Sequence, residues 1–323
     1  ADGPVAQFLF SSLQRRSDKT WLVGLVFIAL LAFLPGFFSI PPVDRDETRF
    51  AQSTRQMVAS GDYIDIAFQD DKRYKKPIGI YWLQAASVQG YYALNGTRDE
   101  APIWVYRLPS LVGLVGAVLA SYSLARLFLT SFGAGVSALM FAISILPGFE
   151  ARIAKTDGVL LFVVLLAQLA LAKAWLAHPL PLLGRGDRFL FWGAIGAGVL
   201  LKGPIILMIS GLTLGGLMLI DRSLLLIKRL QPVSGLLIVG LMVLPWFVAI
   251  GLKSGGAFFV EAGLNDFLGK VASVKESHGG PPGIYLALLS VTFWPASLFL
   301  VPAAPFLWQN WNARPVLFAL VWV

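Results

Sequence analysis

The sequence predicts an all-α polytopic membrane protein, and three observations predict it. The 323 residues are 57% hydrophobic and only 14% charged, whereas a soluble domain carries about 25% charged residues. Several apolar runs reach the ~20 residues that a helix needs to cross a bilayer. The Lys and Arg residues fall mostly between those runs. A water-soluble globule, a disordered chain and a collagen-like fibre are excluded. The chain has no cysteine, which removes disulfides, thiol nucleophiles and thiolate metal sites. Its two histidines, His178 and His278, are too few for a multi-histidine zinc centre. A net charge of +8 alone would suggest nucleic acid. In a membrane protein, cytoplasmic Lys and Arg account for such a charge, so no nucleic-acid partner is expected.

Residues 1–19 place Arg15, Arg16 and Lys19 before the apolar run Thr20–Ile40. The run is too long for a signal peptide and no A-x-A-like site follows, so it reads as the first span. Residues 41–106 form the first outer loop. From Asp46 to Ser60 the pattern is helical: Phe50, Met57 and Val58 share a face and Gly61 supplies the stop. Asp46 opens that helix as its cap, with Glu47 favouring its positive end. Pro77–Thr97 has no charge. Its Gln84, Ser87, Gln89 and Asn95 lie among Tyr81, Trp82, Tyr91 and Tyr92. Such a mixture suits a helix lying on the membrane rather than crossing it.

Arg107–Leu129, Phe132–Gly148 and Gly158–Ala177 follow as spans. Phe189–Ile220 contains one charge, Lys202. As one helix it would reach about 48 Å, against a core of ~30 Å. It reads as two spans, Phe189–Leu201 and Ile205–Ile220, with Lys202-Gly203-Pro204 at the tip; one kinked span is the alternative and would invert everything downstream. Gly211-x-x-x-Gly215 permits close helix approach. Gly235–Gly251, Gly283–Pro302 and a run opening near Pro315 complete the series. The last stops at Val323 within apolar sequence, so residues 1–323 read as one transmembrane domain continuing into a C-terminal region.

Sidedness follows from the short loops. The segments assigned inside carry Arg15, Arg16, Lys19, Arg126, Lys173, Arg185, Arg188, Arg222, Lys228, Arg229 and Arg314. The short outer loops carry fewer, which puts the N-terminus in the cytoplasm. Of 18 Asp and Glu, only Asp2, Asp18, Asp187 and Asp221 then lie inside. The outer face, at 41–106, 149–157, 202–204 and 252–282, is the working face.

On that face Asp46 either caps its helix or serves as general base toward a hydroxyl, and the two roles are compatible. Asp71-Lys72-Arg73-Tyr74-Lys75-Lys76-Pro77 is a basic patch: a lipid-headgroup anchor or a clamp for a phosphate. Lys202 either snorkels or points into a shared outer cavity. Asp157, at the head of a span, caps it or supplies a second carboxylate. His278 beside Glu276 is a base, a phosphate donor or a turn residue. No Ser-His-Asp arrangement, Walker loop or nucleotide fingerprint occurs.

Asp46-Glu47-Thr48-Arg49-Phe50-Ala51 with Met57-Val58-Ala59-Ser60-Gly61-Asp62 resembles the first outer loop of the GT-C membrane glycosyltransferases. The nearest branch is the ArnT and protein O-mannosyltransferase-like group. Lys76-Pro77 through Tyr81-Trp82, Arg152 to Asp157, Leu201-Lys202-Gly203-Pro204, and Ser277-His278 through Pro281-Pro282 to Tyr285 resemble that group's motifs in the same order. The resemblance implies a GT-C-like bundle with interfacial helices in the first outer loop. It implies transfer of a sugar from a polyprenyl-phosphate donor to a lipid, glycan or protein, at the periplasmic face of the inner membrane and with inversion.

It assigns catalysis to Asp46, Glu47 and Asp157. The donor phosphate falls to Lys76, Arg49, Lys202 and Arg152, and the substrate loop to His278, Glu276, Tyr81 and Tyr285. No metal ligand or cofactor is implied, although divalent-metal dependence varies across GT-C enzymes. The rival reading is a lipid or sugar transporter using the same cavity. A transporter calls for paired repeats with broken helices in both halves, and the sequence offers one short-helix pair without a counterpart.

Overall fold

The computed structural model describes residues 4–96, 100–176, 183–262 and 283–322. Helix α1 (Pro4–Phe33) leads through a turn-rich segment to α2 (Arg45–Ser60). A two-residue antiparallel ladder, β1 (Ala67–Phe68) with β2 (Asp71–Lys72), precedes α3 (Gly79–Asn95). Then come α4 (Ile103–Ala125), α5 (Ser131–Ala142), α6 (Ile145–Glu150), α7 (Asp157–Leu176), α8 (Arg185–Lys202) and α9 (Ile205–Asp221). They are followed by α10 (Leu225–Leu230), α11 (Pro232–Lys253), α12 (Ala257–Phe259) and α13 (Ile284–Thr292). A 3₁₀ turn at Ala296–Phe299, α14 (Leu300–Gln309) and α15 (Arg314–Trp322) complete the described chain.

Helix α7 is apolar on every side, and such a helix is stable only when surrounded. It packs between α4 and α8, with α1 and α5 against α4 and α11 against α8. Its apolar stretch is 72% buried, whereas that of α11 is 17% buried, so among the described residues α11 leaves most of its surface uncovered. Among the described residues, α4, α7 and α11 are long and apolar enough to cross a membrane. Glycine sets the α4–α7 spacing. A Cβ on Gly113 would lie 2.8 Å from Val159 Cα, and one on Gly158 would lie 2.9 Å from the Ser110 carbonyl oxygen.

Polar contacts sort by end of the bundle. Asp44 with Lys155, Asp157 with Lys202 and Asp62 with Lys253 join segments assigned outside. Asp18 with Arg126 at 2.8 Å, Lys173 with Asp187 at 2.7 Å and Trp175 with Asp221 at 2.8 Å join segments assigned inside. The hairpin at Lys202-Gly203-Pro204 forms, with Gly203 at φ +69°, and it keeps the two sets apart. Helix α3 packs on α2, α4 and α8.

Several span boundaries need correction. The first helix is shifted toward the N-terminus and ends at Phe33 rather than Ile40. Phe132–Gly148 is two short helices, not one span. Pro147 cannot donate to the backbone ladder and its ring crowds the carbonyl four residues earlier, so the chain restarts at Ser144, whose hydroxyl bonds Met140 O at 2.6 Å. Gly283–Pro302 breaks in the same way around Pro295. Gly211 and Gly215 face open space; the glycine that meets another helix is Gly216, against Val321.

Candidate functional site

The site is built around the first turn of α2. Its cap is Asp44, not Asp46: Asp44 is extended and its carboxylate accepts the Asp46 backbone N–H at 2.6 Å. That leaves Asp46 on the first turn with its side chain 51% exposed, 3.3 Å from Arg49. Asp44 also meets the Lys155 ammonium. Burial pushes the Asp44 carboxyl up, but Lys155 and the capped N–H groups outweigh it and hold it below the usual carboxylate range.

Glu47, the neighbouring acid, points the other way and is fully buried. It accepts from Arg107 Nε at 2.7 Å, the Ala154 N–H at 3.1 Å and the Val43 N–H at 3.3 Å. Arg107 donates onward to the carbonyls of Phe37 and Ile40 at 3.0 and 2.9 Å. One buried pair thus fastens the segment after α1, the start of α2, α4 and the loop before α7.

That last loop reaches the site through Lys155 and Asp157. Asp157 is the first residue of α7, and its carboxylate pairs with Lys202 at the end of α8. The entrance of α3 lies against the same end of α8: a Cβ on Gly79 would sit 2.7 Å from the Leu200 carbonyl oxygen. Half-buried Lys76 lies just before this contact. Glu150, at the end of α6, has a buried Oε2 without a hydrogen-bond partner among the described residues. Burial raises its pKa first, with Asp157 adding to the effect and Lys155 and Lys202 opposing it.

Aromatic side chains wall the other flank. The Arg73 guanidinium lies 5.8 Å from the Phe50 ring and 5.9 Å from the Phe68 ring. Phe50 stacks at 5.5 Å on Tyr81. Tyr81 is fully buried, and among the described residues no group meets its hydroxyl at hydrogen-bond geometry; burial pushes its pKa to about 12 against the opposing pull of Arg73. Arg152 is committed elsewhere. It donates to the carbonyls of Pro35 and Ala32, each at 2.6 Å, and to Gly148, so its guanidinium fastens the end of α1 and the segment after it. A cavity of about 910 Å³ opens between α2 and α3, lined by Arg55, Tyr63, Gln89, Tyr92 and Glu100 among others. None of the charged residues around Asp157 lines it.

The structure therefore brings Asp157 and Lys202 together and places Asp46, Arg49, Lys76 and Tyr81 on the elements beside them. Glu47 is turned into the protein, and the Arg152 guanidinium is engaged by backbone carbonyls. His278 and Glu276 lie outside the described residues, as does the side chain of Tyr285. Sequence reasoning missed Asp44, Lys155, Glu150 and Arg107. Arg107 had a usable signal, because a cation at the head of an apolar run needs a partner. Among the described residues no group of three or more His, Cys, Asp or Glu is placed to hold a metal ion.

Comparison with known proteins adds a family and a fold. The family of dolichyl-phosphate-mannose-protein mannosyltransferases matches residues 75–248. The undecaprenyl phosphate-alpha-4-amino-4-deoxy-L-arabinose arabinosyl transferase of Pseudomonas aeruginosa (strain LESB58) is 29% identical, over 92% of this chain and 53% of the relative. The enzyme of the same name from Aeromonas hydrophila is 26% identical, over 94% and 53%. The chain spans about half the length of these relatives. Among solved structures, ArnT from Cupriavidus metallidurans bound to undecaprenyl phosphate superposes with a TM-score of 0.78 at 23% identity, covering 94% of this chain and 54% of that one. The Archaeoglobus fulgidus oligosaccharyltransferase with zinc and sulfate gives 0.59 at 13% identity, covering 93% and 45%. The helical bundle is thus the membrane GT-C fold.

Proposed function

The chain belongs to the dolichyl-phosphate-mannose-protein mannosyltransferase family, and from that premise we propose that it transfers a sugar from a polyprenyl-phosphate donor to a hydroxyl of a lipid, glycan or protein. The observation that carries the reading is the convergence of Asp44, Lys155, Asp157 and Lys202 from three separate segments at one end of the bundle. Asp46, Arg49 and Lys76 lie on the elements packed beside them. In this reading the N-terminus is cytoplasmic and the site opens to the periplasmic side of the inner membrane.

The donor's lipid tail stays in the bilayer while its phosphate meets Lys76, Arg49 and Lys202. Asp46 takes the proton of the acceptor hydroxyl as its oxygen bonds to the anomeric carbon. The bond from that carbon to the phosphate oxygen breaks, its electron pair leaves with the polyprenyl phosphate, and the cations meet the charge that develops. Backside attack inverts the anomeric centre. Asp157 holds Lys202 in place, Glu47 supports α2 from inside, and Arg152 fastens the segment after α1.

The test is transfer of radiolabel from a polyprenyl-phosphate sugar to membrane fractions by the full-length protein. The names of the relatives make undecaprenyl-phosphate 4-amino-4-deoxy-L-arabinose the first donor to try. Label in a lipid, glycan or protein fraction supports the reading. Donor movement across the bilayer with no transfer to any of these fractions rejects it.

A further inference from the structure

The end of the bundle opposite to this site carries a pocket that the proposed reaction does not use. It has a volume of about 190 Å³ and is lined by Trp175, Leu217, Asp221, Leu226, Arg229 and Arg314 among others. That is about six times a water's share of liquid volume, room for a phosphate and its ester arm.

Arg229 is the feature that needs an explanation. Only 7% of it is exposed. Its Nη1 donates to the Ala174 carbonyl at 2.9 Å, while among the described residues its buried Nη2 has no partner. Among the described residues no carboxylate is paired with it. A desolvated guanidinium is costly unless an anion or a full set of acceptors meets it.

The pocket's acid does not fill that role. Asp221 accepts from Trp175 Nε1 at 2.8 Å and is held at the edge of the indole. The face of the same ring carries the second cation, with the Arg314 guanidinium 5.1 Å from its centroid. Trp175 is itself 2% exposed and so fixes both groups. The remaining wall is Leu217, Met218, Leu225 and Leu226 together with Ser223. Two guanidinium groups beside Ser223 and a few apolar side chains, one of them exposed on the rim and one buried with a free donor, match the phosphate of a phosphate ester. Arginine suits that group because its donors form a fork.

We infer that this pocket binds the phosphate of a phosphate ester, with Arg229 Nη2 and the Arg314 guanidinium as donors. The inference does not depend on the sugar-transfer reading, because no residue of that site lines the pocket. The phosphate can come from an anionic membrane lipid or from a soluble phosphate, and the experiment separates the two.

The full-length protein is purified in detergent. Retention of phosphatidylglycerol and of phosphatidylcholine is measured by native mass spectrometry, and thermal stability is measured with and without inorganic phosphate. The expected result is a preference for phosphatidylglycerol that falls roughly tenfold or more in Arg229→Gln and in Arg314→Gln, as for loss of a charge-assisted bond. Stabilisation by inorganic phosphate without a lipid preference, lost in the same variants, assigns the pocket to a soluble phosphate instead. Arg314 is exposed, so Arg314→Gln decides the matter alone if Arg229→Gln does not fold. Equal retention of the two lipids with no response to phosphate overturns the inference. So does a lipid preference or phosphate response that survives the substitutions.

Discussion

Glu47 and Arg107 lie 60 residues apart and form an ion pair with both side chains fully buried, Nε to Oε1 at 2.7 Å. Removing one partner leaves an uncompensated charge in a dry environment, which costs about 3–5 kcal/mol. Glu47→Ala and Arg107→Ala should each destabilise the protein by that amount in thermal or denaturant unfolding. Replacing both by apolar residues, Glu47→Leu with Arg107→Met, should cost less than the two single changes added together. Strict additivity would mean that the two side chains do not act as a pair.

Asp46 differs from its neighbours in facing outward without capping the helix. Because Asp44 holds the cap, Asp46→Asn should leave folding unchanged. Loss of the base should lower turnover by about 10²–10⁴-fold with donor binding intact. Asp44→Ala should instead cost about 1 kcal/mol of stability as a lost cap. A sugar-transfer assay beside a melting curve separates the two. An active Asp46→Asn with an inactive Asp157→Asn would move the base to Asp157.

Gly79 is where α3 touches α8. A methyl group there would meet the Leu200 carbonyl at 2.7 Å, and overpacking of this kind costs roughly 1–3 kcal/mol. Gly79→Ala should therefore destabilise the protein and weaken donor binding, since the contact keeps the Lys76 segment beside Lys202. Gly90→Ala is the control on the same helix. Nothing lies within 4 Å of its Cβ position, so it should stabilise by about 0.5–1 kcal/mol. Equal melting temperatures for the two variants would show that the contact at Gly79 is loose.

The sequence was legible where a charge or a glycine punctuates an apolar run. Lys202-Gly203-Pro204 marked a hairpin tip, and the hairpin then placed Asp157 and Lys202 at one end. It was misleading where proline sits inside an apolar run, as at Pro147 and Pro295, because hydropathy does not register a missing N–H. The segment Asp44-Arg45-Asp46-Glu47 offers three acids in four positions. Which one caps depends on where the backbone turns helical, and which one is buried depends on Arg107, far away in sequence. Neither fact has a local pattern. The commitment of Arg152 to the carbonyls of Ala32 and Pro35 is hidden for the same reason.

Glu150 carries the last prediction, on pH. Among the described residues its buried Oε2 has no partner, and burial, reinforced by Asp157, raises its pKa above the ordinary 4.5 despite Lys155 and Lys202. The folded state then holds the proton more tightly than the unfolded chain. Its contribution to stability is fully present below 4.5 and is lost as pH rises through the raised folded value. Asp44 acts in the opposite sense: its folded pKa lies below 3.8, so its contribution fades only as pH falls through that lower value, and the two windows do not overlap. Glu150→Gln keeps the shape and cannot ionise. Melting temperatures of the wild type and Glu150→Gln, measured from pH 4 upward, should therefore diverge, with the variant becoming relatively more stable as pH rises. Parallel curves would show that the carboxyl is ionised at no cost, and that Lys155 and Lys202 neutralise it fully.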